Sequence, residues 1–366
     1  MILLYWAYYI LSLWIYSFIF LLDNFCPLPI RDSIAGVLEN GPVNSSAKIG
    51  LWRQLMDFST SNIGFVANNG TSISFYNRGQ ATERSINLKI YNEQGSYNPP
   101  VGVVIWLHGG GWVFGSINGY EETCATVSKL TGLLVVSVEY SLSPERSFPA
   151  PIEDIIQSLA WVQKHISLYG GDPNTIFIAG DSAGGNLAAA VMAALLDQTE
   201  SAKLLSNPIP SEIFVKAVKG LLLIYPTVDN CLNRSCWDSY RLFEHDFILP
   251  LKRMIWFRQM YLDNYSLPNS ADYIFAPIYT PPNILASFPK TILLIAGRDI
   301  LRDEGLSFAT KLEESGVTVV KRVFNGAIHG FFQMEDFYGS KRTAMLFAAE
   351  QLRQIVHSLA SDVCNN

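Results

Sequence analysis

From residue 101 onward the chain alternates short apolar runs with longer runs of helical periodicity. The apolar runs fall at 101–107, 133–138, 175–179, 220–225, 291–296 and 317–324. Each is too short for a typical helix, and turn residues bound most of them, as expected of strands buried on both faces. Between and after them, 152–166, 183–196, 304–315 and 342–359 predict helices. Alternating polar and apolar positions over 84–91 predict antiparallel strands ahead of this series. Strands alternating with helices imply a mostly parallel sheet with helices on both faces, an α/β fold. The stretch 23–79 reads as irregular, with one amphipathic segment near 51–58. The pattern contains no internal repeat.

Two regions break the rhythm. Residues 226–289 are aromatic-rich (Trp237, Tyr240, Phe243, Phe247, Trp256, Phe257, Tyr261). Residues 2–22 carry no charge, and at 1.5 Å per residue they reach about 30 Å, the hydrocarbon thickness of a bilayer. The segment lacks the basic start and small-residue cleavage site of a signal peptide, and its tryptophans and tyrosines are unusual for a core helix. A membrane anchor is therefore expected at 2–22. Arg31 and Lys48 alone do not set its orientation.

The candidate chemistry lies at the C-terminal ends of the predicted strands, where open α/β sheets place their sites. Gly180-Asp181-Ser182-Ala183-Gly184-Gly185 leaves one strand and enters an alanine-rich helix. A serine between glycines at such a junction is the form of a nucleophile elbow, a turn too tight for side chains at Gly180 and Gly184. His108-Gly109-Gly110-Gly111-Trp112 follows an earlier strand. Backbone N–H groups of Gly109 and Gly110, with that of Ala183, are the predicted oxyanion hole, while His108, Gly111 and Asp181 are read as supporting the loop and elbow. Asp299 and His329 stand on loops after later strands, in the order Ser, Asp, His. Ser182 is then the predicted nucleophile, His329 the base and Asp299 the orienting acid. Asp229 and Asp303 are the rival acids. His165, His245 and His357 sit in helical, polar and C-terminal contexts that suit structural or solvent-facing roles. Trp112, Phe331 and Phe332 flank the oxyanion and base loops and are candidates for the substrate pocket.

Composition narrows the function. A net charge of −6 leaves no basic footprint for nucleic acid. No phosphate loop, dinucleotide fingerprint, His-Glu-x-x-His or Cys-x-x-Cys pattern is present, so neither a cofactor nor a metal is expected. Five cysteines are too few for a dense disulfide framework, although Cys231 and Cys236 are spaced to close a small loop. Glycosylation triplets begin at Asn44, Asn69, Asn233 and Asn264.

The motifs together resemble the hormone-sensitive lipase family of α/β-hydrolases. The resemblance runs through His108-Gly109-Gly110-Gly111, Tyr140-Ser141-Leu142-Ser143-Pro144-Glu145, Phe148-Pro149-Ala150-Pro151-Ile152-Glu153-Asp154, the elbow, Asp299-Ile300-Leu301-Arg302-Asp303-Glu304-Gly305 and His329-Gly330-Phe331. Departures are serines within 140–145 where the family usually has Arg and Ala, and Ile300 after the acid. The similarity is greatest to the arylacetamide deacetylase and neutral cholesterol ester hydrolase branch. It implies a serine esterase, lipase or deacetylase acting on small-acyl or lipophilic esters and amides. It also implies a catalytic domain over 23–366 with a cap contributed by about 23–80 and 227–289. Anchorage in the endoplasmic reticulum membrane with a lumenal catalytic domain follows from the same likeness, or secretion if the N-terminus is cleaved. The alternative is a non-catalytic small-molecule binding protein on the same scaffold.

Overall fold

The computed structural model describes residues 70–77, 84–92, 99–229, 231–246, 248–262, 272–334 and 339–364. The chain divides into 1–59 and 60–366, and every described residue belongs to the second unit. The expected anchor 2–22 and most of the expected N-terminal cap segment lie outside the described residues. Among the described residues, no helix is long and apolar enough to cross a membrane.

An eight-stranded sheet organises the fold. Its strands are β1 (Gly70–Asn77), β2 (Arg84–Tyr91), β3 (Val101–Leu107), β4 (Leu134–Glu139), β5 (Gly171–Asp181), β6 (Val218–Ile224), β7 (Lys290–Arg298) and β8 (Val319–Ile328). Their order is β1-β2-β4-β3-β5-β6-β7-β8. Only β2 runs against its neighbours, and β4 through β8 are parallel. The helices are α1 (Glu121–Thr131), α2 (Ala150–His165), α3 (Ala183–Leu196), α4 (Gln198–Leu204), α5 (Asp238–Leu242), α6 (Leu251–Leu262), α7 (Pro282–Leu285), α8 (Arg302–Glu314) and α9 (Ser340–Cys364).

The continuous apolar runs are explained by burial on both sheet faces. On one face Val104, Trp106, Phe177, Ala179, Leu222, Ile224, Ile292 and Leu294, spaced at period two along their strands, pack with Cys124 and Val127 of α1 and Ala348, Leu352 and Ile355 of α9. Helix α3 is buried along 183–195. Its alanines and glycines let the backbone press onto the sheet. A Cβ added to Gly184 would lie 2.0 Å from the Leu107 carbonyl oxygen, and one on Gly180 would lie 2.5 Å from the Gly184 carbonyl carbon.

Helix α4 was not predicted, and three further elements depart from the sequence reading. Gly70–Asn77 is a strand within a stretch read as irregular, paired with β2 along its length. Strand β5 begins at Gly171, ahead of the expected apolar start, because Gly171 pairs with Val101. Helix α1 was not predicted. Its buried positions include Thr123, Ser128 and Thr131, so no apolar stripe marks it. The hydroxyls are satisfied internally, Ser128 by the Leu133 carbonyl (2.9 Å) and Thr131 by that of Val127 (2.7 Å). Between β6 and β7 the chain forms α5, α6 and α7 with short 3₁₀ turns, as the break in rhythm at 226–289 suggested. Asn186 of α3 ties both parts of this excursion to the body, donating to the Thr227 (3.0 Å) and Phe275 (2.8 Å) carbonyls.

Gly184→Ala is expected to lower stability by about 1–3 kcal/mol or more, because the added methyl meets backbone that cannot move aside. Thermal unfolding checks this, and a variant that melts with the wild type would contradict the close approach of α3.

Candidate active site

Ser182 sits between the last residue of β5 and the first of α3. Its backbone is at φ 53°, ψ −118°, a conformation that residues other than glycine rarely adopt and that costs about 1–3 kcal/mol. Neighbouring structure holds it there. The Ser182 N–H donates to the Ile224 carbonyl (2.9 Å), and its carbonyl accepts from the Asn186 N–H (3.0 Å). The turn raises the hydroxyl toward His329, with Oγ 3.0 Å from Nε2. On the far side of the ring, Nδ1 lies 2.7 Å from Asp299 Oδ2. An ionised carboxylate only accepts, so Nδ1 carries the proton and Nε2 is left to accept from the serine. Asp299 Oδ1 accepts the Leu301 N–H at 3.0 Å, which fixes the acid from its own loop.

The structure therefore brings together Ser182, His329 and Asp299 and leaves the rival acids elsewhere. Asp229 is occupied by the Cys231 N–H (3.0 Å), Tyr279 Oη (2.8 Å) and Trp237 Nε1 (2.7 Å). Asp303 accepts the Ser239 N–H (2.7 Å) and Arg302 Nε (2.7 Å). Cys231 and Cys236 form a disulfide, and Cys124 is a buried free thiol. Among the described residues no three His, Cys, Asp or Glu side chains cluster as a metal site.

The oxyanion loop corrects two assignments. The Gly109 N–H is already committed, at 3.0 Å from both Asp181 Oδ1 and Tyr120 Oη. Gly109 thus belongs to the support, and its lack of a side chain matters because a Cβ there would lie 2.5 Å from Asp181 Oδ2. The N–H groups of Gly110, Gly111 and Ala183 have no protein acceptor among the described residues. These are the free donors of the loop and elbow, so Gly111 moves from support to donor. Gly110 and Gly111 take φ of 119° and 61°, open to glycine at little cost. His108 orders the loop as expected of it. Its Nδ1 donates to the Gly109 carbonyl (2.8 Å), and its ring stacks on Tyr140 at 4.2 Å. Phe332 is not a pocket residue: it is fully buried and stacks on Trp106 in the sheet core. Phe331 is likewise buried, against Tyr225 and Phe324.

Tyr120 and Tyr225 are functional neighbours that sequence reasoning missed. Tyr120 Oη donates to Asp181 Oδ2 at 3.0 Å, and Tyr225 Oη lies 3.4 Å from the same oxygen. The Tyr225 ring also packs 4.9 Å from the His329 imidazole. Tyr225 directly follows β6 and Tyr120 directly precedes α1, where either resembles any core aromatic, so no local signal distinguishes them.

Burial dominates the electrostatics. It pushes the Asp181 carboxyl up to about 6, against the lowering effects of the Tyr120 hydroxyl, His329 and the Gly109 N–H. It pushes His108 down to about 4, so that ring is neutral at physiological pH. Burial opposes charging of His329 too, but the Asp299 carboxylate and its hydrogen bond outweigh it and hold the imidazole above its ordinary value.

An eight-stranded, mostly parallel sheet with a serine elbow and an aligned Ser-His-Asp set defines a protein of the α/β-hydrolase class. A family profile described as the alpha/beta hydrolase fold matches residues 104–333, and the chain belongs to that family, in its hormone-sensitive-lipase-like branch. Among its relatives is an AB hydrolase superfamily protein of Schizosaccharomyces pombe, 31% identical over 63% of this chain and 63% of that one. Lipase 2 of a Moraxella species is 29% identical over 78% of this chain and 66% of its own length. The match thus spans just under two thirds of these two relatives. Arylacetamide deacetylase of Bos taurus is 28% identical over 68% of this chain and 73% of that one. Of the solved structures, an esterase from Pyrobaculum calidifontis aligns with a TM-score of 0.70 at 30% identity, covering 84% of this chain and 93% of that chain. A thermostable carboxylesterase from a metagenomic library also aligns at 0.70 and 30%, covering 87% and 98%.

Asp181→Ala strips Tyr120 of its acceptor and the Gly109 N–H of its charged one. It is expected to cost about 1–3 kcal/mol in urea unfolding, whereas Asp181→Asn keeps an acceptor oxygen and stays within about 1 kcal/mol of wild type. Equal losses in the two variants would argue against this support role.

Proposed function

We propose that the protein is a serine carboxylic-ester hydrolase that works through an acyl-enzyme. The observation carrying this reading is the aligned chain from Ser182 Oγ through His329 to Asp299, at 3.0 and 2.7 Å. Relatives named as esterases, a lipase and a deacetylase support it. In the first half-reaction Ser182 Oγ attacks the ester carbonyl carbon and its proton passes to His329 Nε2. The oxyanion is received by the free N–H groups of Gly110, Gly111 and Ala183. The tetrahedral intermediate collapses, Nε2 returns the proton to the departing alcohol, and the acyl group stays on Ser182. Water then repeats the sequence with His329 as base, releasing the carboxylic acid. Asp299 holds the ring in the tautomer that leaves Nε2 free and stabilises the imidazolium each time it forms.

The substrate class we propose is small-acyl or lipophilic esters and amides, because the excursion over 227–289 sets apolar aromatic groups against the oxyanion loop. Phe257 lies over Gly111, and Phe114 packs on Phe257 at 5.6 Å. We further propose that 2–22 anchors the enzyme in a membrane with the catalytic domain on the oxidising, lumenal side. The uncharged segment and the Cys231–Cys236 disulfide support this, since disulfides persist in such compartments.

The direct test is turnover of p-nitrophenyl esters from acetyl to dodecanoyl by the full-length protein beside Ser182→Ala. Turnover that vanishes with the serine while the fold persists is expected, and a folded Ser182→Ala protein that keeps most of its rate would sink the mechanism. The pH dependence follows from His329. The base must be neutral to accept the proton, so kcat/KM falls as pH drops through its value in the free enzyme. The midpoint of that acid limb is expected above 6.5, the ordinary histidine value. Asp299→Asn is expected to lower the midpoint and cut the rate by about 10³–10⁴-fold. An acid limb that does not move in Asp299→Asn would remove Asp299 from the triad.

A further inference from the structure

Helix α6 touches the oxyanion loop at three successive points. The Phe257 ring lies over Gly111 so closely that an added Cβ would come within 2.3 Å of it. Tyr261, one turn on, stacks face to face on Trp112 at 4.5 Å and 4°. Phe114 packs edge-on against Phe257. Trp112 itself is held at φ 61°, a left-handed conformation that a bulky residue keeps only when its surroundings impose it. Aromatic pairs of this kind prefer offset-stacked or edge-to-face geometry, a looser constraint than a hydrogen-bonded ion pair imposes.

The same helix carries a directional contact elsewhere. Arg258, next to Phe257, pairs with Glu304 at 3.2 Å, and the side chains are 1% and 0% exposed. Arg258 also donates to Thr227 Oγ1 (3.1 Å), Tyr240 Oη (3.0 Å) and the Cys231 carbonyl. Glu304 Oε1 accepts the Val228 (2.7 Å) and Asp229 (3.3 Å) N–H groups, and its other oxygen accepts from Tyr240 Oη. Glu304 lies in the first turn of α8, which follows the acid loop directly, and the Arg302 N–H donates to the Asp299 carbonyl at 3.1 Å. Helix α6 therefore spans from the oxyanion loop to the helix that seats the acid.

We propose that Arg258 and Glu304 are positioning residues whose buried ion pair sets the register of α6, and through Phe257 and Tyr261 holds the oxyanion donors in line with Ser182 and His329. The proposal rests on the serine-hydrolase reading. A buried ion pair contributes little net stability compared with an apolar pair of the same volume, but here the guanidinium is also aimed at Thr227, Tyr240 and the Cys231 carbonyl. Register matters here because a displacement of about 1 Å at a reacting centre can cost about 10²-fold in rate.

The test uses the full-length protein and the variants Arg258→Met, Arg258→Lys and Glu304→Gln. The readouts are kcat and KM for p-nitrophenyl acetate, the inhibition constant of an alkyl trifluoromethyl ketone, and the melting temperature. The ketone adds to the serine oxygen to give a tetrahedral oxyanion, so its affinity reports the donors directly. Arg258→Met is expected to lower kcat by about 10–100-fold, with KM changed less than about threefold, and to weaken the ketone by the factor lost from kcat/KM. Arg258→Lys is expected to recover part of both. Variants that melt earlier but keep wild-type kcat and ketone affinity below their melting temperature would overturn the proposal and leave the pair a purely structural one. If Arg258→Met does not fold, Tyr240→Phe, which removes one hydroxyl from the cluster, carries the same comparison, with a several-fold loss expected. A wild-type control without Ser182-dependent turnover would defeat the hydrolase reading itself and is distinguished from the other outcomes on that ground.

Discussion

The approach of α3 to the ends of β3 and β5 sets the geometry on which the rest depends. Where Gly184 passes the Leu107 carbonyl there is no room for a methyl group. That approach forces the chain to turn within a residue, and the residue at the turn is Ser182, at positive φ. The strain of order 1–3 kcal/mol is borne by hydrogen bonds from Ser182 to β6 and to the first turn of α3. A looser contact would let the serine relax, and its hydroxyl would no longer meet a histidine delivered from β8.

Around this turn the protein buries three carboxylates and treats each differently. Asp299 is paired with an imidazole and one N–H, which keeps it an acceptor for a proton-bearing Nδ1. Asp181 is held by tyrosine hydroxyls and the Gly109 N–H, with His329 near enough to act on it, yet burial outweighs them and lifts its pKa. It ties the oxyanion loop to the elbow by reaching across from the residue before the nucleophile. Glu304 faces a guanidinium and joins the excursion between β6 and β7 to the acid helix. Isolated ionised carboxylates would be costly in such surroundings, so each survives through its own set of donors. Between them they tie together the segments that carry Ser182, Asp299 and the glycine loop.

The aromatic contacts complement these polar ones. Trp112, Phe148, Tyr261 and Phe275 form one stacked and edge-to-face group that joins the oxyanion loop to the excursion. Such pairs add about 0.5–1.5 kcal/mol each beyond the area they bury. All four rings are buried. The sequence showed an aromatic-rich stretch but not which rings meet, because partners such as Trp112 and Tyr261 lie far apart along the chain.

Much of the site was legible because its parts sit in patterns that follow from local chemistry. Glycines flank the serine because the turn demands them, and strand-end loops are where such sheets present Asp299 and His329. The parallel strands were legible for a similar reason, since burial on both faces writes itself as continuous apolar runs. What escaped were features whose cause is non-local. Helix α1 buries Thr123 and Ser128, whose hydroxyls reach Gln333 (2.7 Å) and the Tyr91 carbonyl (3.3 Å), both remote in the chain. Gly109 looked like an oxyanion donor until Asp181 and Tyr120 were seen to occupy its N–H, while the Gly111 N–H is left free. Phe332 looked available to substrate, yet it faces Trp106 in the core. The sequence by itself determined the residue types and the alternation of parallel strands with helices, and it marked the Ser, Asp and His that the fold brings together, because those rest on backbone turns and on period. The tertiary structure alone decided which donors stay free and which buried charges meet, because hydrogen-bond and ion-pair partners are settled by distances of a few ångströms between segments remote in the chain.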